Sequence, residues 1–235
     1  LSKRFERMYT RLALLAERMG VGELLAPVVE RLAVLYSRGV LGAGHVVLEL
    51  VAAGVLAREG YTVSVEEPVD GLIVDVLARM GRERLVVEVE TGYTPPRWSH
   101  APLAYHAARL AAKTARYSRL GDRFALAYPL GYAAPIHPAL LEPPWRRSPG
   151  MLAELKSLVD RFYQRPPIPL EAFQQAHLDA VLLLDPDNAS AYWAPPSRAP
   201  GLQVLVVQAA LSTLTSPGGE PGTASVVTAA AATPS

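Results

Sequence analysis

Asp75 stands inside an otherwise apolar run, Gly71-Leu-Ile-Val-Asp-Val-Leu77. Thirteen residues after it comes Glu88, in the segment Val86-Val-Glu-Val-Glu-Thr-Gly92, which also carries Glu90. Side chains alternate between the faces of a strand, so Glu88 and Glu90 project to the same side. A hairpin between the two runs sets Asp75 beside Glu88. Carboxylates on neighbouring strands repel, and burying them costs free energy unless a cation offsets their charge. A divalent metal with hard oxygen ligands is the natural compensator. Magnesium takes one or two protein carboxylates and leaves its other positions to water or substrate phosphate.

The next chemistry-bearing group lies on a helix expected over residues 102–120. There His106, Arg109, Lys113 and Tyr117 recur at helical spacing and share one face. From Arg97 to Arg123 the bases are Arg97, Arg109, Lys113, Arg116, Arg119 and Arg123, against Asp122 alone. From Glu59 to Glu90 the balance reverses: Glu59, Glu66, Glu67, Asp70, Asp75, Glu83, Glu88 and Glu90 stand against Arg79, Arg82 and Arg84. The formal net charge of +1 therefore sums an acidic strand unit and a basic helix. A basic face beside clustered carboxylates suits a phosphodiester backbone held against a metal. It equally suits a helix that pairs with the acidic strands. Lysine occurs only at Lys3, Lys113 and Lys156. A compact ammonium with an adjustable pKa can do proton work that guanidinium cannot, so Lys113 stands out.

These groups need elements to position them. Residues 3–58 read as helices, broken at Gly20 and Gly22 and again at Gly39, Gly42 and Gly44. The third helix, 45–58, is apolar on nearly every side and reads as buried. The period then changes, with strands expected at 61–65, 72–78 and 85–90 and a tight turn at Gly81. After the helix over 102–120, which Gly121 is placed to end, a fourth strand is expected at 124–128. Residues 129–147 read as ordered loop and 150–163 as an amphipathic helix. Strands at 178–184 and 191–193 close the pattern. Helix, three strands, helix, strand is the order of an α/β sheet with both faces covered. The expected division is an N-terminal helical extension over 1–40, an α/β domain over 41–208, and a disordered low-complexity tail over 209–235.

Composition narrows the classes. There is no cysteine, which excludes disulfides and cysteine-ligated metal centres. Half the residues are hydrophobic, enough for a real core. Charged residues interrupt every apolar run before it reaches membrane-spanning length. The segment Leu1-Ser-Lys-Arg-Phe-Glu-Arg7 shows no apolar core of a secretion signal, so a cytoplasmic location is expected.

Asp75, then Glu88-Val89-Glu90 at the end of a hairpin, then a helix with Lys113-Thr-Ala-Arg-Tyr117, resembles the PD-(D/E)XK nuclease core. The likeness covers roughly residues 41–130. It is nearest to an archaeal group that carries a Glu-Val-Glu-Thr-Gly segment. It implies a restriction-endonuclease-like core with a mixed central sheet flanked by helices, and metal-dependent hydrolysis of DNA phosphodiesters. In that frame Asp75, Glu88, Glu90 and Lys113 are the catalytic group. Asp75 and Glu88 would bind Mg²⁺ or Mn²⁺ with the Val89 carbonyl. Glu49, on the preceding helix, would complete the metal site, and Arg97, Arg109, Arg116 and Tyr117 would contact nucleic acid. The family motif ends in lysine where this chain has Glu90, and Lys113 is placed to replace it. DNA is the expected partner, and a homodimer is allowed. The loss of the motif lysine leaves a second reading open: an inactive relative that binds nucleic acid or protein. A third is a structural protein that uses its N-terminal helices as an interface.

Other candidates carry less. His45 and Glu49 lie four residues apart on one helix face, but no second histidine is near in sequence. Asp185 and Asp187 read as a turn. His100, His137, His177 and the three tryptophans fall in loops or near strand ends.

Overall fold

The computed structural model describes residues 2–205 and 208. The tail expected over 209–235 lies outside them. Three helices open the chain: α1 (Lys3–Arg18), α2 (Gly22–Ser37) and α3 (Ala43–Arg58). α1 starts where the Ser2 hydroxyl accepts a hydrogen bond from the Phe5 amide at 3.1 Å, which satisfies an otherwise orphan donor. Its buried residues Phe5, Met8, Leu12 and Leu15 recur at helical spacing. α1 and α2 end just before Gly20 and Gly39, both in the left-handed region that glycine adopts without strain. α3 is buried continuously from Val46 to Ala57, as its all-round apolarity demands.

Six strands form one mixed sheet in the order β1 (Thr62–Val69), β2 (Leu72–Met80), β3 (Glu83–Val89), β4 (Arg123–Pro129), β5 (Ala180–Asp185) and β6 (Ser190–Ala194). β1, β2 and β3 pair antiparallel through tight turns. β4 and β5 join parallel, and β6 closes the far edge antiparallel. The parallel step from β3 to β4 is made through α4 (Pro102–Tyr117), which tightens into a 3₁₀ turn at Ser118–Leu120. The segment from β4 to β5 contains α5 (Pro138–Leu141), α6 (Pro149–Asp160) and α7 (Leu170–Gln175).

Alternation along the strands divides the core. Val76, Val87, Val89, Ala127 and Leu182 pack with α1, α2 and α3 on one face. Val86, Leu126, Val181 and Leu183 face the other way, with Leu110 of α4. α4 then packs on α6 and α7 through Ala108, Ala111, Leu155 and Phe173. Each fully buried leucine, such as Leu12, Leu25, Leu32, Leu50 and Leu56, contributes about 1.5–3 kcal/mol of hydrophobic stabilisation.

Three local differences from the sequence reading have physical causes. β1 continues to Val69 because Glu66 takes a left-handed φ of 50°, which interrupts the alternation without ending the pairing. Pro68 is tolerated there because β1 is an edge strand. The loop 129–147 contains α5, whose first turn is capped by His137 Nδ1 accepting from the Ala139 amide at 3.2 Å. Gly121 has an extended φ of −136°, so its role is not that of a left-handed helix cap. A Cβ there would lie 2.8 Å from the Arg84 carbonyl oxygen. Gly121→Ala is therefore expected to destabilise the fold by about 1–3 kcal/mol in urea unfolding. Gly131→Ala, where a Cβ meets nothing within 4 Å, should be neutral. Equal stability of the two variants would refute the close-approach argument.

Candidate functional site

The β2–β3 ladder runs only as far as Val76 opposite Val87. Beyond it, side chains replace backbone partners. The Asp75 amide donates to Glu88 Oε1 at 3.2 Å, and the Val89 amide donates to Asp75 Oδ2 at 2.7 Å. On the other side of β2, the β1–β2 register sets Val65 opposite Val76 and Glu67 opposite Val74, so Glu66 lies across from Asp75. Glu66, Asp75 and Glu88 thus form a row across three adjacent strands, each at most 9% exposed.

Two groups of opposite design meet this row at Asp75. From α4, Lys113 Nζ donates to the Val89 carbonyl at 2.7 Å and Asp75 Oδ2 at 2.9 Å, and lies 3.1 Å from Glu88 Oε2. These are the three acceptors that the family resemblance assigns to a metal ion. From α3, His45 Nε2 lies 2.8 Å from Glu49 Oε1 and 3.7 Å from Asp75 Oδ1. His45, Glu49, Glu66 and Asp75 each offer a ligand atom, and these atoms all lie within 4.8 Å of one another. Glu49 is fully buried; His45 Nε2, 2.8 Å from its Oε1, is its one cationic partner among the described residues, and its Oε2 has no donor. A buried carboxylate oxygen without a donor is costly. Three carboxylates and one imidazole also make a chemically suitable donor set. This buried group could hold a metal ion.

The remaining expected site residues have definite places. Glu90 is fully buried; its Oε2 accepts from Arg109 Nε and its Oε1 from the Gly92 amide at 3.1 Å. Arg109 is thereby engaged by an acid of the chain's own sheet. Arg116 lies over the Tyr163 ring, 5.5 Å from its centroid, and exposed Arg97 lies at the same distance over Trp98. Tyr117 packs, half-buried, against the core on the α4 side. His106 pairs with the Thr94 hydroxyl at 2.7 Å. The helix face read from the sequence is therefore directed at the acidic hairpin. Asp185 closes a turn onto Asn188, as expected of that segment.

Glu66 escaped the sequence reading. Its only trace is the doublet Glu66-Glu67 before Pro68, where strict alternation would send one acid inward. His45 was visible through its spacing to Glu49, but the partners Glu66 and Asp75 are supplied by tertiary packing.

The electrostatics follow from burial. For His45, burial opposes the imidazolium, but Asp75 and Glu49 together outweigh it and raise the pKa to about 10. Burial also dominates at Glu49. His45 stabilises its charged form, yet burial with repulsion from Asp75 and Glu66 raises its pKa to about 8. Burial pushes Glu88 up, with Asp75 adding to the rise and Lys113 offsetting part of it. Asp75 goes the other way. Burial alone would raise it, but Lys113 and His45 hold it well below the carboxylate range.

Comparison with protein-family models, curated proteins and solved structures finds no match to the chain.

The raised pKa values of His45 and Glu49 give a stability dependence of defined sign. Each group binds its proton more tightly when folded. Its stabilisation is complete below the unfolded value, 6.5 for His45 and 4.5 for Glu49, and is lost as pH rises through about 10 and about 8 respectively. In chelator, the melting temperature should fall between about pH 6 and about pH 9. Glu49→Gln, which has no proton to lose, should flatten part of that fall. A melting temperature that rises over this window would contradict the assignment.

Proposed function

We propose that this protein is a metal-dependent nuclease of the PD-(D/E)XK type, with a restriction-endonuclease-like core. The observation that carries the reading is the double engagement of Asp75. One oxygen faces a group able to hold a cation, and the other accepts from Lys113. The strand order adds support: an antiparallel unit bears the acids, and a helix then leads to a parallel strand.

In this proposal His45, Glu49, Glu66 and Asp75 would hold the metal. A bound divalent ion lowers the pKa of a water ligand and neutralises phosphate charge. Lys113 does the work of the motif lysine that Glu90 displaces. Its ammonium donates to Asp75 and the Val89 carbonyl and lies 3.1 Å from Glu88, so it would exchange one of these partners for a phosphate oxygen to stabilise the charge developing there. Glu88, whose pKa burial raises, would take the proton of the attacking water, and to do so its Oε2 would part from Lys113 while its Oε1 keeps the Asp75 amide. Arg109 holds Glu90 in place and neutralises it. The imidazole nitrogen in the donor set favours Mn²⁺ over Mg²⁺, because Mg²⁺ prefers all-oxygen surroundings.

Labelled single-stranded, double-stranded and branched DNA should be cut in Mn²⁺. Asp75→Ala and Lys113→Ala should each reduce the rate by about 100-fold or more. Cleavage unchanged in Asp75→Ala would remove the assignment. In calorimetric titration His45→Ala should weaken Mn²⁺ binding by about tenfold and Mg²⁺ binding less. An equal loss for both ions would remove His45 from the donor set.

One observation favours a second reading. Lys113 pairs with both Asp75 and Glu88, as a non-catalytic relative would require. Nucleic-acid binding without cleavage in any divalent ion would select it.

A further inference from the structure

The parallel strands β3, β4 and β5 all point their carboxyl ends toward one open cleft of about 880 Å³. Thr91, Pro129 and Pro186, each within two residues of a strand end, lie along it. Ala43, Gly44 and Val47 at the start of α3, within two residues of His45 on either side, also line the cleft. α1 contributes Arg7, Thr10, Arg11, Leu14 and Arg18. In open α/β sheets, the crevice outside the carboxyl ends of the strands is where ligands bind.

The charge of this cleft is not neutralised from within. Arg7 and Arg11 are exposed and make no ion pair or hydrogen bond among the described residues. Arg18 donates to the Asp187 backbone carbonyl at 2.8 Å, which fixes its position without cancelling its charge. Asp187 is the one acid along the cleft. The first turn of α3 adds to the positive field, since Gly42 offers no side-chain cap to its amides. From Arg7 to Arg18 the axis of α1 advances about 16 Å, at about 1.5 Å per residue. That matches about five nucleotides along one strand of a duplex. The basic residues of α4 contrast with this row: Arg109 is held by Glu90, and Arg116 lies over Tyr163.

We infer that the cleft between α1 and the carboxyl ends of β3, β4 and β5 binds the phosphodiester backbone of a nucleic acid through Arg7, Arg11 and Arg18. The inference rests on the nuclease reading for its choice of ligand. Gly44 and Thr91, which line the cleft, directly adjoin His45 and Glu90 in the chain. Guanidinium groups on a rigid helix make bidentate contacts to phosphate without reading sequence.

The test is fluorescence anisotropy with labelled DNA and RNA of one sequence, single- and double-stranded, across a salt series, on the full chain. Arg7→Ala combined with Arg11→Ala should weaken binding by about tenfold at low salt. The same pair should lower the salt slope by roughly 0.9 per arginine on duplex DNA. Arg82→Ala combined with Arg119→Ala, near the amino ends of β3 and β4, should leave both unchanged. Circular dichroism should show both pairs folded, because all four side chains are exposed. Wild-type affinity in the Arg7/Arg11 pair would overturn the inference. So would a loss seen only with Arg97→Ala and Arg116→Ala, or no binding of any nucleic acid by the wild type. The two readings fail separately. Cleavage with binding indifferent to Arg7 and Arg11 rejects the cleft alone. Arginine-dependent binding without cleavage rejects the nuclease and leaves the cleft.

Discussion

The ammonium of Lys113 against Asp75, Glu88 and the Val89 carbonyl is the interaction on which the centre of this molecule depends. Three strands bring three buried acids into one row, and the sheet's own amides supply hydrogen bonds but no positive charge that offsets them. Lysine from the crossover helix does so, with two carboxylates and a carbonyl inside about 3.1 Å. Removing one partner of such a buried pair costs about 3–5 kcal/mol, because the remaining charge is left uncompensated. The strand ladder is shaped by the same requirement. It stops at Val76 and Val87, and the next amides turn to the carboxylates of Glu88 and Asp75.

Around this pair the fold separates two electrostatic tasks. On the α4 side, Glu88 of β3 has Lys113, and Glu90, one residue past the strand, has Arg109. On the α3 side, Glu49 and Glu66 face His45, with Arg31 of α2 held at the Glu66 backbone carbonyl, so three acids including Asp75 meet two cations. Asp75 belongs to both sides. That asymmetry explains why the donor-rich group lies toward α3, whereas the Asp75, Glu88 and Val89 oxygens are already occupied by a lysine. The carboxyl ends of the parallel strands instead border a cleft lined by α1 and the start of α3.

Much of this was legible in the chain. Period-two runs separated by Gly81 placed Asp75 beside Glu88, and a helical repeat placed Lys113 and Arg109 on one face. Both patterns are local and survive folding unchanged. Glu66 was hidden because its inward turn depends on one left-handed residue in an edge strand, which no alternation rule encodes. The pairing of Arg109 with Glu90 was hidden because helix-to-strand distances are set by core packing, here Leu110 against the sheet. The short helices α5 and α7 lack the length for a periodic signal.

The division of Asp75 between a lysine and a cation group makes a claim about where a metal sits. Anomalous diffraction from Mn²⁺-soaked crystals tests it directly. The account expects a peak among His45, Glu49, Glu66 and Asp75 Oδ1, with Lys113 Nζ still on Asp75 Oδ2 and Glu88. A peak between Asp75, Glu88 and the Val89 carbonyl, with Lys113 displaced, would contradict it.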